Sequence, residues 1–338
     1  MLDVGMGGRI VRRRFLKMMS GMALAGAAGA EFGCAQQSSK VPRVAYVYIF
    51  KEGPSRPFEK EFRASMTQLG WVDGRNVQIL VRDADGSNER LDVIMRDLVE
   101  SRVDVIVAAC TPEGKAASKY TKTIPIVMAA TGDAVASGLA VSFSHPGGNV
   151  TGMSAMLLDQ SAKRMELLKE AFPAITKAAV IWNPDRPDNH QEVRAMQNRA
   201  KDFGVTLESV QVRTVDEIVN HLAMLDTQAI LNAGDTLTGA NRDKLIAYAA
   251  RMRIPGLYED RVYTEQGGLM SYGPDLATLQ REAAGYVDKI LKGATPGELA
   301  IKQPKTFDLV INLRTAKALG YTFPPSILAR VLPANILT

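Results

Sequence analysis

Short apolar runs alternate with amphipathic segments through most of the 338-residue chain. The first half contains four runs that are typical of buried strands: 44–49, 77–81, 103–109 and 124–128. Between the first two, Phe62, Met66 and Leu69 recur at the spacing of one helix face. Strands that are apolar on both faces and separated by helices predict parallel sheets in an α/β fold.

The same alternation starts again after a glycine-rich turn at residues 147–152. Its predicted strands are 178–182, 205–210, 229–231, 269–272 and 307–311. Thr214 and Glu217 have the spacing of a capping box, which predicts that a helix begins there. No low-complexity linker separates the two halves. We therefore expect two similar lobes that are joined by short connections and close about a hinge over a cleft.

The N-terminus carries the pattern of an export signal. Residues 12–17 read Arg-Arg-Arg-Phe-Leu-Lys, the pattern of the twin-arginine export route. The apolar stretch 18–30 is far shorter than the roughly 20 residues that span a bilayer, and it ends in a small-residue cleavage pattern. This predicts a signal peptide over residues 1–30, or to residue 33, and the twin-arginine machinery as a partner. A chance arginine cluster before a buried helix is the alternative.

Cys34 leaves the form of the exported protein open. A cysteine just after such a stretch can be the lipidated first residue of a bacterial lipoprotein, and Gly33 fits that pattern. Glu31 stands where an apolar residue is expected, so a free periplasmic protein and a lipid-anchored one are both compatible with the sequence. The only other cysteine is Cys110, so no disulfide framework is expected.

The charge and the motifs exclude several classes of function. Residues 1–30 account for +4 of the formal net charge of +5, so the remainder is nearly neutral and predicts no nucleic-acid partner. His145, His190 and His221 lack metal-ligand spacing, and no H-E-x-x-H or G-x-S-x-G motif occurs. Residues 109–116 imitate a phosphate loop without its first glycine and its Ser/Thr. We expect no catalytic residue, no metal and no cofactor.

Polar residues follow the predicted strands, where α/β sheets bind ligands. Thr111 and Pro112 predict an N-cap and first helical residue whose free amides would suit a carboxylate. Asp133, Asn183 and Asp235 stand in the same position after other strands, and the aspartates could bind an ammonium group. Ordinary helix caps are the alternative for each of them.

Further candidates lie near the same edge. Thr151 could bind a carboxylate, and Tyr48, Tyr258 and Tyr272 could stack on an apolar ligand while offering a hydroxyl group. Ordinary core packing is the alternative for each tyrosine. Cys110 is expected to be a small buried residue, with a reactive thiol as the alternative.

Several segments together resemble a known family. They include Leu-Gly-Trp-Val-Asp-Gly-Arg-Asn at 69–76 and Pro-Gly-Gly-Asn-Val-Thr-Gly at 146–152. The others are 103–109, 182–184, 267–273 and 308–313. In this order they resemble the ABC-transporter substrate-binding proteins of the tryptophan/tyrosine type. The resemblance implies a type I periplasmic-binding-protein fold, with two Rossmann-like lobes, a three-crossover hinge and a ligand in the closing cleft.

The resemblance also implies boundaries and a site. The first lobe would comprise residues 41–152 and 268–298, and the second lobe 153–267 and 299–338. Five of the candidates would be cleft residues: Thr111, Asp133, Thr151, Asn183 and Asp235. The chain departs from the family at Cys110, where glycine is usual, which would narrow the pocket.

The expected function is that of a periplasmic solute receptor and not of an enzyme. It would capture a small organic ligand, such as an amino acid or an aromatic or organic acid, and present it to an ABC permease and its ATPase. A ligand sensor for a signalling system is the first alternative, because it would use the same cleft. An exported enzyme that uses Cys110 or the carboxylates is the second.

Overall fold

The computed structural model describes residues 41–49 and 56–338. The predicted signal peptide and Cys34 lie outside these residues, so both stay predictions. Within the described part, none of the helices is long and apolar enough to cross a membrane.

The first lobe is built on a five-stranded parallel sheet in the order β2-β1-β3-β4-β5. Its strands are β1 (Arg43–Tyr48), β2 (Gln78–Asp83), β3 (Val105–Ala108), β4 (Ile126–Thr131) and β5 (Val150–Ser154). Its first three helices are α1 (Arg56–Gln68), α2 (Asn88–Glu100) and α3 (Thr111–Tyr120). The apolar periodicity thus predicts β1 to β4 correctly, whereas β5 overlaps the segment 147–152 that was predicted as a glycine-rich turn.

The second lobe is built on a seven-stranded sheet in the order β12-β11-β10-β9-β8-β6-β7. Its strands are β6 (Lys177–Trp182), β7 (Thr206–Gln211), β8 (Ile230–Asn232), β9 (Gly256–Tyr258), β10 (Met270–Gly273), β11 (Asp308–Asn312) and β12 (Ile336–Leu337). Its helices are α4 (Leu157–Ala171), α5 (Pro187–Asp202), α6 (Val215–Met224), α7 (Thr236–Ala240), α8 (Arg242–Met252), α9 (Arg261–Glu265), α11 (Leu313–Leu319) and α12 (Pro325–Leu328). All pairs are parallel except β10 with β11, so the prediction of purely parallel sheets is wrong for this pair.

One helix that lies between two second-lobe strands in sequence, β10 and β11, belongs to the first lobe. This helix, α10 (Leu276–Leu291), packs beside α1 and buries Leu279, Ala283 and Val287 in the first-lobe core. Helices α2 and α3 cover the opposite face of the same sheet. Clusters of buried residues likewise cover both faces of the second sheet, so the central strands of both sheets are apolar on both faces, whereas at least half of the residues of the edge strands β2 and β7 are polar.

The lobe boundaries differ from those predicted from the resemblance. Strand β10 pairs with β9 and β11, so residues 268–273 belong to the second lobe and the predicted return near residue 268 comes too early. Ile301 still packs in the first-lobe core, and its amide donates to the Phe143 carbonyl at 2.7 Å. The predicted boundary at residue 299 is therefore also early. An apolar strand looks alike in either sheet, so its pattern could not decide its partner.

The crossing segments contact one another at the hinge. The Thr151 hydroxyl donates to the Leu299 carbonyl at 2.6 Å, and the Ser154 amide donates to the Lys302 carbonyl at 2.9 Å. Met156, just before α4, has φ of 56°, a left-handed conformation that costs a residue with a side chain about 1 kcal/mol. The crossing path is thus fixed by specific contacts and one strained residue.

The strand order places the cleft. In each sheet the order of strand addition reverses beside the first strand, between β1 and β3 in one sheet and between β6 and β8 in the other. Ligands of open α/β sheets bind outside the carboxyl ends of the strands at such reversals. The loops after these strands are therefore the place to look for a site.

Candidate ligand-binding site

The two lobes contact each other through the side chain of Thr111. Its hydroxyl accepts hydrogen bonds from the Gly132 amide at 3.1 Å and from Nη2 of Arg186 in the second lobe, also at 3.1 Å. It lies 3.5 Å from Oδ2 of Asp188, to which it donates. Arg186 and Asp188 are buried and form an ion pair with each other. We call Thr111, Arg186 and Asp188 the latch, because they join the lobes in one buried polar contact.

The start of α3 differs from the sequence prediction. The N-cap is Cys110, and Thr111 is the first helical residue, so the predicted N-cap role of Thr111 is wrong by one position. The Glu113 carboxylate accepts hydrogen bonds from the amides of Cys110, at 3.1 Å, and Ile49, at 2.6 Å. A side chain of the protein therefore already provides an anion at this helix start. Burial raises the pKa of Glu113 to about 7.

An inner chamber of about 90 Å³ lies between the lobes. Its first-lobe wall is mainly apolar and aromatic and includes Tyr46, Tyr48 and Phe58. Its second-lobe wall is charged and includes Arg186, Asp235, Arg242, Glu259 and Asp260. The two walls differ sharply in chemistry.

A larger outer chamber of about 940 Å³ lies between the same lobes. It shares Arg186, Arg242 and Thr236 with the inner chamber. Most of its charges are already paired, as in Lys119–Asp92 at 2.8 Å and Arg213–Asp185 at 3.2 Å. We interpret it as the approach to the inner chamber, because its charged groups are largely satisfied by each other.

Glu259 is held at the end of β9 by two hydrogen bonds to Asn232. Nδ2 of Asn232 donates to Oε1 of Glu259 at 3.1 Å, and the Glu259 amide donates to Oδ1 of Asn232 at 3.3 Å. The backbone of β10 passes so close that a Cβ at Gly273 would lie 1.8 Å from the Glu259 carbonyl oxygen. Only glycine fits there, so Gly273 allows the backbone of Glu259 to lie this close to β10.

The surroundings of Glu259 disfavour its charged form. Burial raises the pKa of Glu259 to about 8. The nearby carboxylates Glu192, Asp235 and Asp260 raise it further, whereas Arg164 acts in the opposite direction. Glu259 keeps partial exposure by surface area although protein surrounds it, as expected for a side chain that faces a cavity.

Arg242 presents unsatisfied donors at the boundary of the two chambers. It begins α8 and is 7% exposed, and its Nε and Nη1 are buried without a hydrogen-bond partner. Its guanidinium lies 5.7 Å from the ring centre of Tyr263, which also lines the inner chamber. A buried charged donor without a partner is costly, so this geometry suits an anionic ligand group.

The structure brings together half of the candidate residues named from the sequence. Tyr48 and Asp235 line the inner chamber, and Thr111 and Asn183 line the outer chamber. Asp235 also caps α7, since Oδ1 accepts from the Thr238 amide at 2.8 Å. Asp235 therefore both caps a helix and lines the inner chamber.

The other four candidates lie away from both chambers. Asp133 accepts hydrogen bonds from the Val135 and Ala136 amides and closes its own turn. Thr151 belongs to the hinge, as described above. Tyr258 is fully buried and stacks on Tyr263 at 4.7 Å, and Tyr272 packs on Phe307 at 6.2 Å. Core packing, the alternative given for the tyrosines, accounts for the contacts of Tyr258 and Tyr272, whereas Asp133 closes a turn and caps no helix.

Four main residues of the chamber were not found from the sequence: Arg186, Arg242, Glu259 and Tyr263. Glu259 directly follows β9, but that strand has only three residues and gives no recognisable apolar run. Tyr263 follows Tyr258 by five positions and takes the place at the chamber that was expected for Tyr258. The arginines had no signal, because buried and exposed arginines look alike in a sequence.

Cys110 lines the inner chamber and is half-buried. Burial raises the pKa of its thiol well above the ordinary value, and Glu113 adds to the effect. A nucleophilic cysteine needs a lowered thiol pKa. The surroundings of Cys110 therefore disfavour a reactive thiol. In the described part of the chain, no cluster of His, Cys, Asp and Glu could hold a metal ion.

Comparisons with known proteins agree with this architecture. A curated tyrosine-binding protein of Clostridioides difficile is 27% identical over 263 residues, which are 77% of this chain and 76% of that protein. The crystal structure of a conserved domain protein from Vibrio cholerae has a TM-score of 0.82 at 27% identity, covering 88% of this chain and 100% of that one. A domain from Streptococcus pneumonia in complex with L-Trp shares the fold, with a TM-score of 0.81 at 23% identity and the same coverage.

The family assignment covers nearly the whole described chain. Residues 45–333 match the family described as ABC transporter substrate binding protein. This span contains both lobes, the latch and both chambers. The chain therefore belongs to the family of ABC transporter substrate-binding proteins.

Proposed function

We propose that this protein is the extracytoplasmic receptor of an ABC importer, and that it captures a single amino acid with an apolar, preferably aromatic, side chain. The observation that carries the proposal is the inner chamber, which joins an aromatic wall from one lobe to a charged wall from the other. An amino acid has the matching set of groups. The tyrosine-binding relative and the L-Trp complex support this ligand class.

The charged wall can receive both ends of a zwitterion. The free donors of Arg242 suit the α-carboxylate, since a guanidinium binds a carboxylate through two parallel hydrogen bonds. The acidic groups Asp235, Glu259 and Asp260 suit the ammonium group. The side chain of the ligand would then lie against Tyr46, Tyr48 and Phe58 of the first lobe.

Closure and capture are coupled in this arrangement. A ligand that contacts both walls stabilises the closed form by the difference in its affinity for the two forms. The latch adds a contact of the protein itself, because Thr111 meets Arg186 only when the lobes are together. The closed form would be delivered to the permease and its ATPase. Export by the twin-arginine route would place the protein in the periplasm, either free or anchored at Cys34.

A panel of matched ligands tests the proposal. The exported protein is titrated by calorimetry with L-tryptophan, L-tyrosine and L-phenylalanine, and with tyramine and 3-(4-hydroxyphenyl)propionate. Tyramine lacks the carboxylate and the propionate lacks the ammonium group. We expect micromolar or tighter binding of at least one amino acid and a loss of at least about tenfold for either truncated analogue. Equal affinity for all five compounds, or binding of none, would contradict the proposal.

A further inference from the structure

Three carboxyl groups line the inner chamber, those of Asp235, Glu259 and Asp260, and only Glu259 does not cap a helix. Two carboxyl groups outside this lining are held by arginines: Asp188 by Arg186, and Glu192 by Arg164 at 3.3 Å. Glu259 is different. The one side-chain hydrogen bond that it accepts comes from neutral Asn232, and no arginine or lysine lies within ion-pair distance of it in the described part of the chain. A carboxylate offers about four acceptor positions, so most of its capacity is open.

The other two carboxyl groups of the chamber both cap helices. Oδ1 of Asp235 accepts from the Thr238 amide at 2.8 Å, and its Oδ2 accepts from Asn189 at 3.4 Å. Oδ1 of Asp260 accepts from the Val262 amide and caps α9. Oδ2 of Asp260 and Oε2 of Glu259 accept no hydrogen bond in the described part of the chain, but Asp260 is buried and fixed by its cap, whereas Glu259 caps no helix and is half-exposed to the chamber.

Charged groups from several elements act on Glu259. Arg164 of α4 favours its ionised form, whereas Glu192 of α5, Asp235 after β8 and the adjacent Asp260 disfavour it. Cys110 of the first lobe lines the same chamber and interacts electrostatically with this carboxyl group. Arg242 of α8 lines the same chamber, and its guanidinium lies 5.7 Å from the ring centre of Tyr263. The Tyr263 hydroxyl and Glu259 both accept from Nδ2 of Asn232. Acids thus outnumber bases around Glu259.

We propose that Glu259 is the ammonium-binding group of the inner chamber, and that it releases a proton when a ligand with a protonated primary amine binds. This rests on the proposed function, since it names the residue that recognises the amino group. In the unoccupied chamber the carboxyl group holds a proton and relieves the repulsion among its acidic neighbours. The ligand's –NH3+ then takes over the compensation of charge. The carboxyl proton passes to the buffer, so charge and protons balance.

Proton release from Glu259 makes the affinity for the ligand depend on pH. Because the free carboxyl group has a pKa of about 8, it must lose its proton before it can pair with the ammonium group. Affinity should rise with pH up to about 8, and fall about tenfold for each pH unit well below it. A neutral or anionic analogue of the ligand would release no proton. The chamber therefore selects for compounds that carry a primary amine.

Calorimetry in two buffers is the direct test, with L-tryptophan as the probe. At pH 7, in phosphate and in Tris, the difference in binding enthalpy should correspond to release of roughly one proton per ligand. Glu259→Gln should abolish the release and lower the affinity at pH 8 by at least about tenfold. The matched control is Glu89→Gln, a carboxylate of the outer chamber that accepts from Ser87. The Glu89→Gln variant should release the same number of protons per bound ligand as the parent protein.

Equal enthalpies in the two buffers, or undiminished release from Glu259→Gln, would overturn the inference while leaving the receptor function intact. Failure of all the amino acids to bind would contradict the receptor function instead. In that case, the pH dependence of the stability of the ligand-free protein still tests whether Glu259 holds a proton in the folded state. The pKa of Glu259 is about 8 in the folded state and 4.5 in the unfolded chain, so this group makes stability fall as the pH rises from about 4.5 to about 8, and its contribution is level above that. Glu259→Gln should flatten this fall, and an unchanged slope would refute the inference.

Discussion

The two walls of the inner chamber divide recognition between the lobes. The first-lobe wall is built from Tyr46, Tyr48 and Phe58, and the Tyr46 hydroxyl is satisfied internally by Gln280 at 2.8 Å. The second-lobe wall contains Arg242 with free donors and Glu259 with a free acceptor. One lobe therefore offers shape and apolar surface, and the other offers unpaired charge. A ligand that satisfies both walls holds the lobes together, which is the property a transport receptor needs.

Removal of the free guanidinium should have the largest effect. Arg242→Met keeps much of the volume but deletes the donors for the ligand carboxylate, so affinity should fall at least about thirtyfold. The ligand-free protein should become more stable by about 1 kcal/mol, because an unpaired buried charge disappears. Calorimetry and thermal unfolding measure the two effects. Arg213→Met, at an exposed pair of the outer chamber, is the control and should change neither substantially.

Loss of the latch should act on closure rather than on the ligand. Thr111→Val removes the acceptor that the Gly132 amide and Arg186 share, at a cost of about 1–3 kcal/mol to the closed form. Affinity should fall about tenfold, and small-angle scattering should show a larger radius of gyration for the ligand-free protein. Thr111→Ser keeps the hydroxyl and should stay close to the parent. A valine variant as compact and tight-binding as the parent would exclude the latch.

A change in the aromatic wall should have the smallest effect and should alter selectivity. Phe58→Leu keeps an apolar surface but removes an aromatic contact worth about 0.5–1.5 kcal/mol. The affinity for L-tryptophan should fall by roughly two- to tenfold, whereas that for L-leucine, as far as it binds, should change less. Competition calorimetry gives this ratio. If both ligands lose equally, the first-lobe wall does not select for aromatic side chains.

The sequence predicts the lobes better than it predicts their chemistry. Strands such as β1 and β6 were foreseeable because each contains at least five consecutive apolar residues. Strand β9 was not, because three residues carry no period, and Glu259 was lost with it. The assignment of β10 failed for another reason. Its pattern is that of any buried strand, and only pairing with β9 and β11 decides its lobe.

Candidate binding residues failed or succeeded for a related reason. Asp133 and Asp235 have the same position after a strand, yet Asp133 closes a turn while Asp235 lines the chamber. The difference lies in which loop meets the opposite lobe, and that depends on long-range docking. Arg242 illustrates this most clearly, since its role arises where the start of α8 approaches the cleft.

A crystal structure of the protein grown with the tightest amino acid of the panel tests the central claim most directly. We expect one ligand in the inner chamber, with its carboxylate on Nε and Nη1 of Arg242 and its amino nitrogen within hydrogen-bond distance of Glu259. The side chain should lie against the aromatic wall. A ligand bound in the outer chamber, or one reversed so that its carboxylate points away from Arg242, would contradict the division of recognition between the two walls.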